Sequence, residues 1–156
     1  MKLLTNAFDL WVFTRAGNEP SYLLLHTSQE KADRFFGGAR FWQIPGAFVE
    51  EGDEFPSVLE RPLTELGLES SAIWAVEHVY PFFNRRFGDL QLIPVFAAEV
   101  PDRAEPKLTW EHSEFGWFTA GECEERLTFR GLIEGLEWTR RFISERKRPD
   151  EVFRVR

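Results

Sequence analysis

The amino-acid sequence predicts an α/β sandwich built on a mixed β-sheet. Three observations lead there. β-forming segments and segments of helical apolar period follow one another in the order β-β-β-α-β-β-β-α. Turn signals around Gly17 and Gly88 make antiparallel neighbours of the strands beside them. The last helix carries one apolar stripe, which needs a sheet face to cover it. One domain is expected over residues 1–148, with a charged tail at 149–156.

Ala7 to Thr14, AFDLWVFT, is rich in β-formers and ends at the turn signal Ala16-Gly17-Asn18-Glu19-Pro20. Tyr22 to His26 reads as a second strand. Gln29 to Arg40 is polar, charged and contains Gly37-Gly38, so a loop is expected. Phe41 to Val49 reads as a strand broken at Pro45-Gly46, because Pro lacks a donor and Gly admits positive φ. Glu54 to Leu66 places Phe55, Val58, Leu59, Leu63 and Leu66 at mostly helical intervals, and Gly67 stops it. Pro62 falls inside this pattern, so the helix is expected to kink or to be shorter than the pattern.

Ala72 to Phe82 and Leu90 to Val100 read as strands joined by a hairpin turn, with Pro94 marking an edge or a bulge. Glu114 to Thr119 is a short strand, and Ala120 to Arg126 a short helix. From Thr128 a stronger helix aligns Phe129, Leu132, Ile133, Leu136 and Ile143. The last residues, from Arg146, are expected to fray.

Six Trp, two Tyr and sixteen Phe among 156 residues point to a bulky aromatic core or an aromatic-lined pocket. The formal charge of −7 disfavours non-specific binding to nucleic-acid polymers. That acidity is uneven, since residues 140–156 hold seven basic and three acidic side chains. Cys123 stands alone, which excludes an intramolecular disulfide and a multi-cysteine zinc site. No apolar run approaches the roughly 18 residues that span a bilayer. A cytoplasmic chain without membrane partners is expected.

The stretch from Trp42 to Leu68, WQIPGAFVEEGDEFPSVLERPLTELGL, resembles the Nudix hydrolase family. That family's box is a loop-helix-loop whose glutamates hold divalent metals against a diphosphate. Trp42-Gln43-Ile44-Pro45-Gly46 is similar to the strand entering the box, and Gly46 to Asp53 to its opening loop. Ala47 stands at the second glycine and Asp53 at the first glutamate. After seven residues Arg61 meets the box arginine. Beyond it Pro62 and Leu66 stand at two glutamate positions in the forward register, and a register counted back from Gly67 also keeps only Glu65. Family glutamates at i, i+3 and i+4 share a helix face. Glu60 and Glu65, five apart, differ by about 140° around a helix and cannot share one ion. A second resemblance is Trp110-Glu111-His112-Ser113-Glu114-Phe115-Gly116-Trp117-Phe118. It is similar to a segment of Nudix subfamilies acting on dinucleoside polyphosphates and dihydroneopterin triphosphate.

The resemblance implies a Nudix-like α/β/α sandwich and metal-assisted hydrolysis of a nucleoside diphosphate linked to another moiety. Mg²⁺ or Mn²⁺ would be the cofactor, since both favour oxygen ligands. Glu65 and Glu111 are the implied catalytic and metal-binding acids, supported by Glu50, Asp53 and the backbone oxygen near Gly46. Glu65 can equally be a solvated helix residue, and Glu50 can instead pair with Arg61. Arg34, Arg40, Arg85 and Arg86 are candidate diphosphate partners, because guanidinium groups bind phosphate bidentately. Phe35, Trp42 and Trp110 are candidate stacking residues for a ring. Solvated charge and ordinary packing are the alternatives for each. A cleft that binds a nucleotide without turnover is the competing reading, as is a protein-interaction module. A homodimer is the expected assembly.

Overall fold

The computed structural model describes residues 1–156. Eight strands form one mixed sheet: β1 (Leu3–Leu4), β2 (Ala7–Thr14), β3 (Ser21–Thr27), β4 (Trp42–Gln43), β5 (Gly46–Phe48), β6 (Ala72–Asn84), β7 (Asp89–Glu99) and β8 (His112–Phe118). Four α-helices accompany them: α1 (Gln29–Phe35), α2 (Arg61–Glu65), α3 (Ala120–Arg126) and α4 (Arg130–Thr139). β2 runs parallel to β7, while β2–β3 and β6–β7 are antiparallel, as the turn signals predict.

Alternation along β2 sends side chains to opposite faces. Phe8, Leu10 and Val12 join Leu23, Leu25, Val58, Leu59 and Leu63 in a core beneath α2. Trp11 and Phe13 join Tyr22, Trp74, Tyr80, Val95, Leu132 and Leu136 in a second core beneath α4. Helices therefore cover both faces, which makes an α/β/α sandwich. α4 continues as a wider helical turn over Arg140–Ser144, so the apolar stripe reaches the fully buried Ile143.

One feature of the sheet positions the box. β2 and β3 pair only at Phe13–Tyr22 and Thr14–Ser21, then diverge. Residues 42–48 fill the fork. β4 lies on β3 through Leu25–Gln43 and His26–Trp42, and β5 lies on β2 through Ala7–Phe48, Phe8–Ala47 and Asp9–Gly46. Pro45 bridges the two strands, its carbonyl accepting from Leu10 N at 2.9 Å.

Two expectations are corrected, for residues 29–35 and for the tail, while those for Pro62 and Pro94 hold. Residues 29–35 are helical rather than a loop. Ser28 caps α1 by accepting from Lys31 N at 3.0 Å, and Gly37 and Gly38 leave it at positive φ. The 54–66 helix is shorter than its pattern, as Pro62 leads one to expect, splitting into a 3₁₀ turn, Ser57–Glu60, and α2. Pro62 is thereby in the first turn of α2, where its missing N–H costs little. Pro94 marks a local edge beside a bulge, as expected: β6 pairs with it on one side, and the β6–β7 register shifts between Ala75 and His78, opposite Phe96 and Val95. It occupies the stretch Leu92–Pro94 where β7 has neither β1 nor β2 as neighbour. The final residues do not fray: Ile73 exchanges backbone hydrogen bonds with Val155 and Arg156, and the Arg156 guanidinium meets Glu60 at 2.6 Å.

Candidate active site

The box loop is braced from within. Asp53 accepts from the backbone N–H of Glu50 at 2.7 Å and from the Arg61 guanidinium. Arg61 also donates to the carbonyl of Phe48 at 3.1 Å, tying the loop to β5. The Glu50 N–H, with help from Arg61, holds the Asp53 carboxyl below the usual carboxylate range. Arg61 thus pairs with Asp53, and the expected Glu50–Arg61 pair is absent. The carboxylates of Glu50 and Glu65 are exposed and make no hydrogen bond or ion pair within the chain.

A second group gathers around α1. Lys31 reaches Gln43 Oε1 at 3.1 Å and Glu111 Oε1 at 3.4 Å. Arg34 lies 4.9 Å from the ring of Trp110, and the Phe35 ring is 6.5 Å from that ring. Arg86, at the tip of the β6–β7 hairpin, lies over Phe35 at 4.0 Å, so the hairpin leans on α1. Arg34, Phe35, Arg86, Trp110 and Glu111 are therefore brought together. Arg85 stands exposed at the same tip.

Two residues expected to touch ligand are engaged elsewhere. Arg40 donates to the Thr27 carbonyl at 2.8 Å and Ser113 Oγ at 2.6 Å, stitching the end of β3 to the start of β8. Trp42 packs between His26 at 4.6 Å and Phe118 at 5.4 Å. His112 is also structural. Its Nε2 is 3.0 Å from Gln43 Oε1, and burial, then the charges of Lys31 and His26, lower its pKa to about 4.

A divalent ion demands several oxygen ligands around one point. No three His, Cys, Asp or Glu side chains approach closely enough to hold a metal together. Asp53 is held by Arg61, Glu111 leans on Lys31, and Glu65 ends α2 alone. The side chains as placed do not fit a resident Mg²⁺ or Mn²⁺.

The α4 face holds an acid that lies outside the box. Asp9, on β2, accepts a hydrogen bond from the Tyr80 hydroxyl of β6, across the intervening β7. Burial pushes the Asp9 carboxyl up to about 7, against the opposing pull of that hydrogen bond. Sequence reading passes it over as one polar residue in a strand. The available signal is its register: Asp9 shares the inward phase of Trp11 and Phe13.

Solved structures share this architecture. An Ap4A hydrolase of C. elegans superposes with a TM-score of 0.72 over 92% of this chain and 100% of its own, at 14% identity. The NUDIX domain of Shewanella oneidensis NrtR, complexed with ADP ribose, gives 0.67 over 90% and 87%, at 18% identity. A dihydroneopterin triphosphate pyrophosphohydrolase of E. coli gives 0.64 over 86% and 95%, at 16% identity. The chain has the Nudix fold.

No family model and no curated protein sequence matches the chain. In this Nudix fold the loop after Gly46 leaves the fork between β2 and β3 and leads to α2, which carries Pro62. No helix is long and apolar enough to cross a membrane. Of two surface recesses, the first lies away from the segment that runs from Gly46 to α2 and the second borders it. One lies between residues 15–20 and 144–147, the other among Phe55, Leu59, Phe96 and Val155.

Proposed function

We propose that the chain is a Nudix-type hydrolase of a nucleoside diphosphate linked to another moiety. The observation that carries this reading is the braced loop. Asp53, Arg61 and the Phe48 carbonyl fix residues 48–53 in the fold that Ap4A and dihydroneopterin triphosphate hydrolases share. The diphosphate would lie along this loop, with the group around Lys31, Arg34 and Arg86 supplying positive charge. Glu65, exposed and unpaired, would accept a proton from the attacking water. No step is assigned to a metal, because the acids do not converge.

The same lack of convergence favours a second reading, in which the cleft binds such a ligand without cleaving it. One experiment separates the two. Purified protein is offered diadenosine tetraphosphate, ADP ribose and other nucleotides, with and without Mn²⁺, and both phosphoanhydride cleavage and thermal shift are followed. The hydrolase reading expects cleavage that falls at least tenfold in Glu65→Gln. Ligand-induced stabilisation without cleavage supports the second reading. Neither cleavage nor stabilisation overturns both.

A further inference from the structure

The Asp9–Tyr80 pair has a chemistry that neither the box nor the fold accounts for. Tyr80 donates to Oδ2 only; Oδ1 has no hydrogen bond within the chain. Oδ1 is also not among the buried polar atoms that lack a partner, which are Trp11 Nε1, Trp74 Nε1 and His78 Nε2. Asp9 is half-buried, so Oδ1 keeps a partial opening on the α4 face.

The backbone makes room for it. Gly46, paired with Asp9 across β2–β5, lacks a side chain where a Cβ would sit 3.5 Å from Oδ1 and 2.5 Å from the Phe8 carbonyl. Apolar and aromatic groups share this face of the sheet. Ala7 precedes Asp9 on the same face, and Phe82 follows Tyr80 on its own. Phe129 meets Phe82 edge-on at 6.0 Å, and Phe41 meets Phe129 at 4.9 Å. Gly131 of α4 lies against the Tyr80 ring so closely that a side chain there would collide with it.

The geometry points to Asp9, positioned by Tyr80, as the recognition point for the ligand's non-phosphate moiety, which donates an N–H to Oδ1. The moiety is then a nitrogen heterocycle with an amino or ring N–H edge, whose apolar faces suit the aromatic groups of this side of the sheet. This inference rests on the diphosphate reading above. It deepens that reading, because Gly46 joins Asp9 to the box loop. The raised pKa of Asp9 agrees with a carboxyl that lacks a charged partner in the free chain.

Calorimetry with ADP, N6,N6-dimethyl-ADP and inorganic pyrophosphate tests it. The dimethylated base has no N–H donor. Wild-type protein is expected to bind ADP at least about tenfold more tightly than the dimethyl analogue, the scale of a hydrogen bond to a charged group. In Asp9→Asn the Tyr80 hydroxyl retains the amide oxygen, so the NH₂ faces the ligand. ADP affinity should then fall to that of the analogue, with pyrophosphate affinity unchanged. Tyr80→Phe should move ADP in the same direction, and it carries the test if Asp9→Asn does not fold. Pyrophosphate binding with ADP indifferent to both substitutions overturns this inference alone. If wild-type protein binds neither ADP nor pyrophosphate, the diphosphate reading falls and this inference with it.

Discussion

The Tyr80 hydroxyl reaches across β7 to hydrogen-bond the carboxyl of Asp9, linking two strands that are not neighbours in the sheet. That link places an acid inside the aromatic half of the sandwich. It also gives the chain a titration with a defined sign.

Stability against pH should show two opposing slopes. Burial raises Asp9 from 3.8 to about 7, so between those values the folded chain keeps a proton that the unfolded chain has released. The Asp9 contribution therefore falls as pH rises through that window. His112 is lowered from 6.5 to about 4, so there the unfolded chain holds the extra proton and stability rises with pH. Each slope is at most about 1.4 kcal/mol per pH unit, and they oppose one another below pH 6.5. Urea midpoints at pH 4.5 and 6.5 should be close in wild type. They should rise with pH in Asp9→Asn and fall in His112→Gln. Identical profiles in all three would refute the assignment.

Gly131→Ala should destabilise. Gly131 is the second residue of α4, where Ala gains at most the about 1 kcal/mol it has over Gly in a helix interior. Here the new Cβ would meet the Tyr80 ring, and overpacking of this kind costs about 1–3 kcal/mol. The steric effect is expected to win, lowering the urea midpoint. A stabilised variant would mean that Tyr80 moves freely.

Arg40→Ala should lower stability by roughly 1–2 kcal/mol, since it removes the bonds to Thr27 and Ser113. Its affinity for pyrophosphate should be unchanged. A lost affinity at unchanged stability would restore the diphosphate role that its loop position suggests.

Asp53→Ala should speed hydrogen exchange at the Glu50 amide, which loses its acceptor, while amides of β2 keep their protection. Unchanged exchange at Glu50 would mean that the loop is held by other contacts.

Much of the fold was legible because apolar period survives in single segments. The β2 boundaries agree with the sequence, and the 120–126 helix coincides with α3. α1 was not legible, since its face is polar and only Ala32 is buried; its evidence is the Ser28 cap, not a stripe. The tail escaped notice because its pairing partner, Ile73, is over 80 residues away in sequence. The loop at 46–53 was singled out in the sequence through Gly46, Asp53 and Arg61. The partners of its acids were not, because Asp53 and Glu50 compete for one arginine and only the loop geometry decides. Asp9 shows the same limit, as its role depends on a hydroxyl 71 residues away.

The central claim is that the braced box loop serves a diphosphate ligand. Its most direct test is phosphoanhydride cleavage over the nucleotide panel by wild type and Glu65→Gln, with thermal shift in the same samples. Cleavage by wild type that drops at least tenfold in the variant, with both proteins stabilised by ligand, is the result expected. A folded wild-type protein that no nucleotide stabilises, and that cleaves none, would contradict the claim.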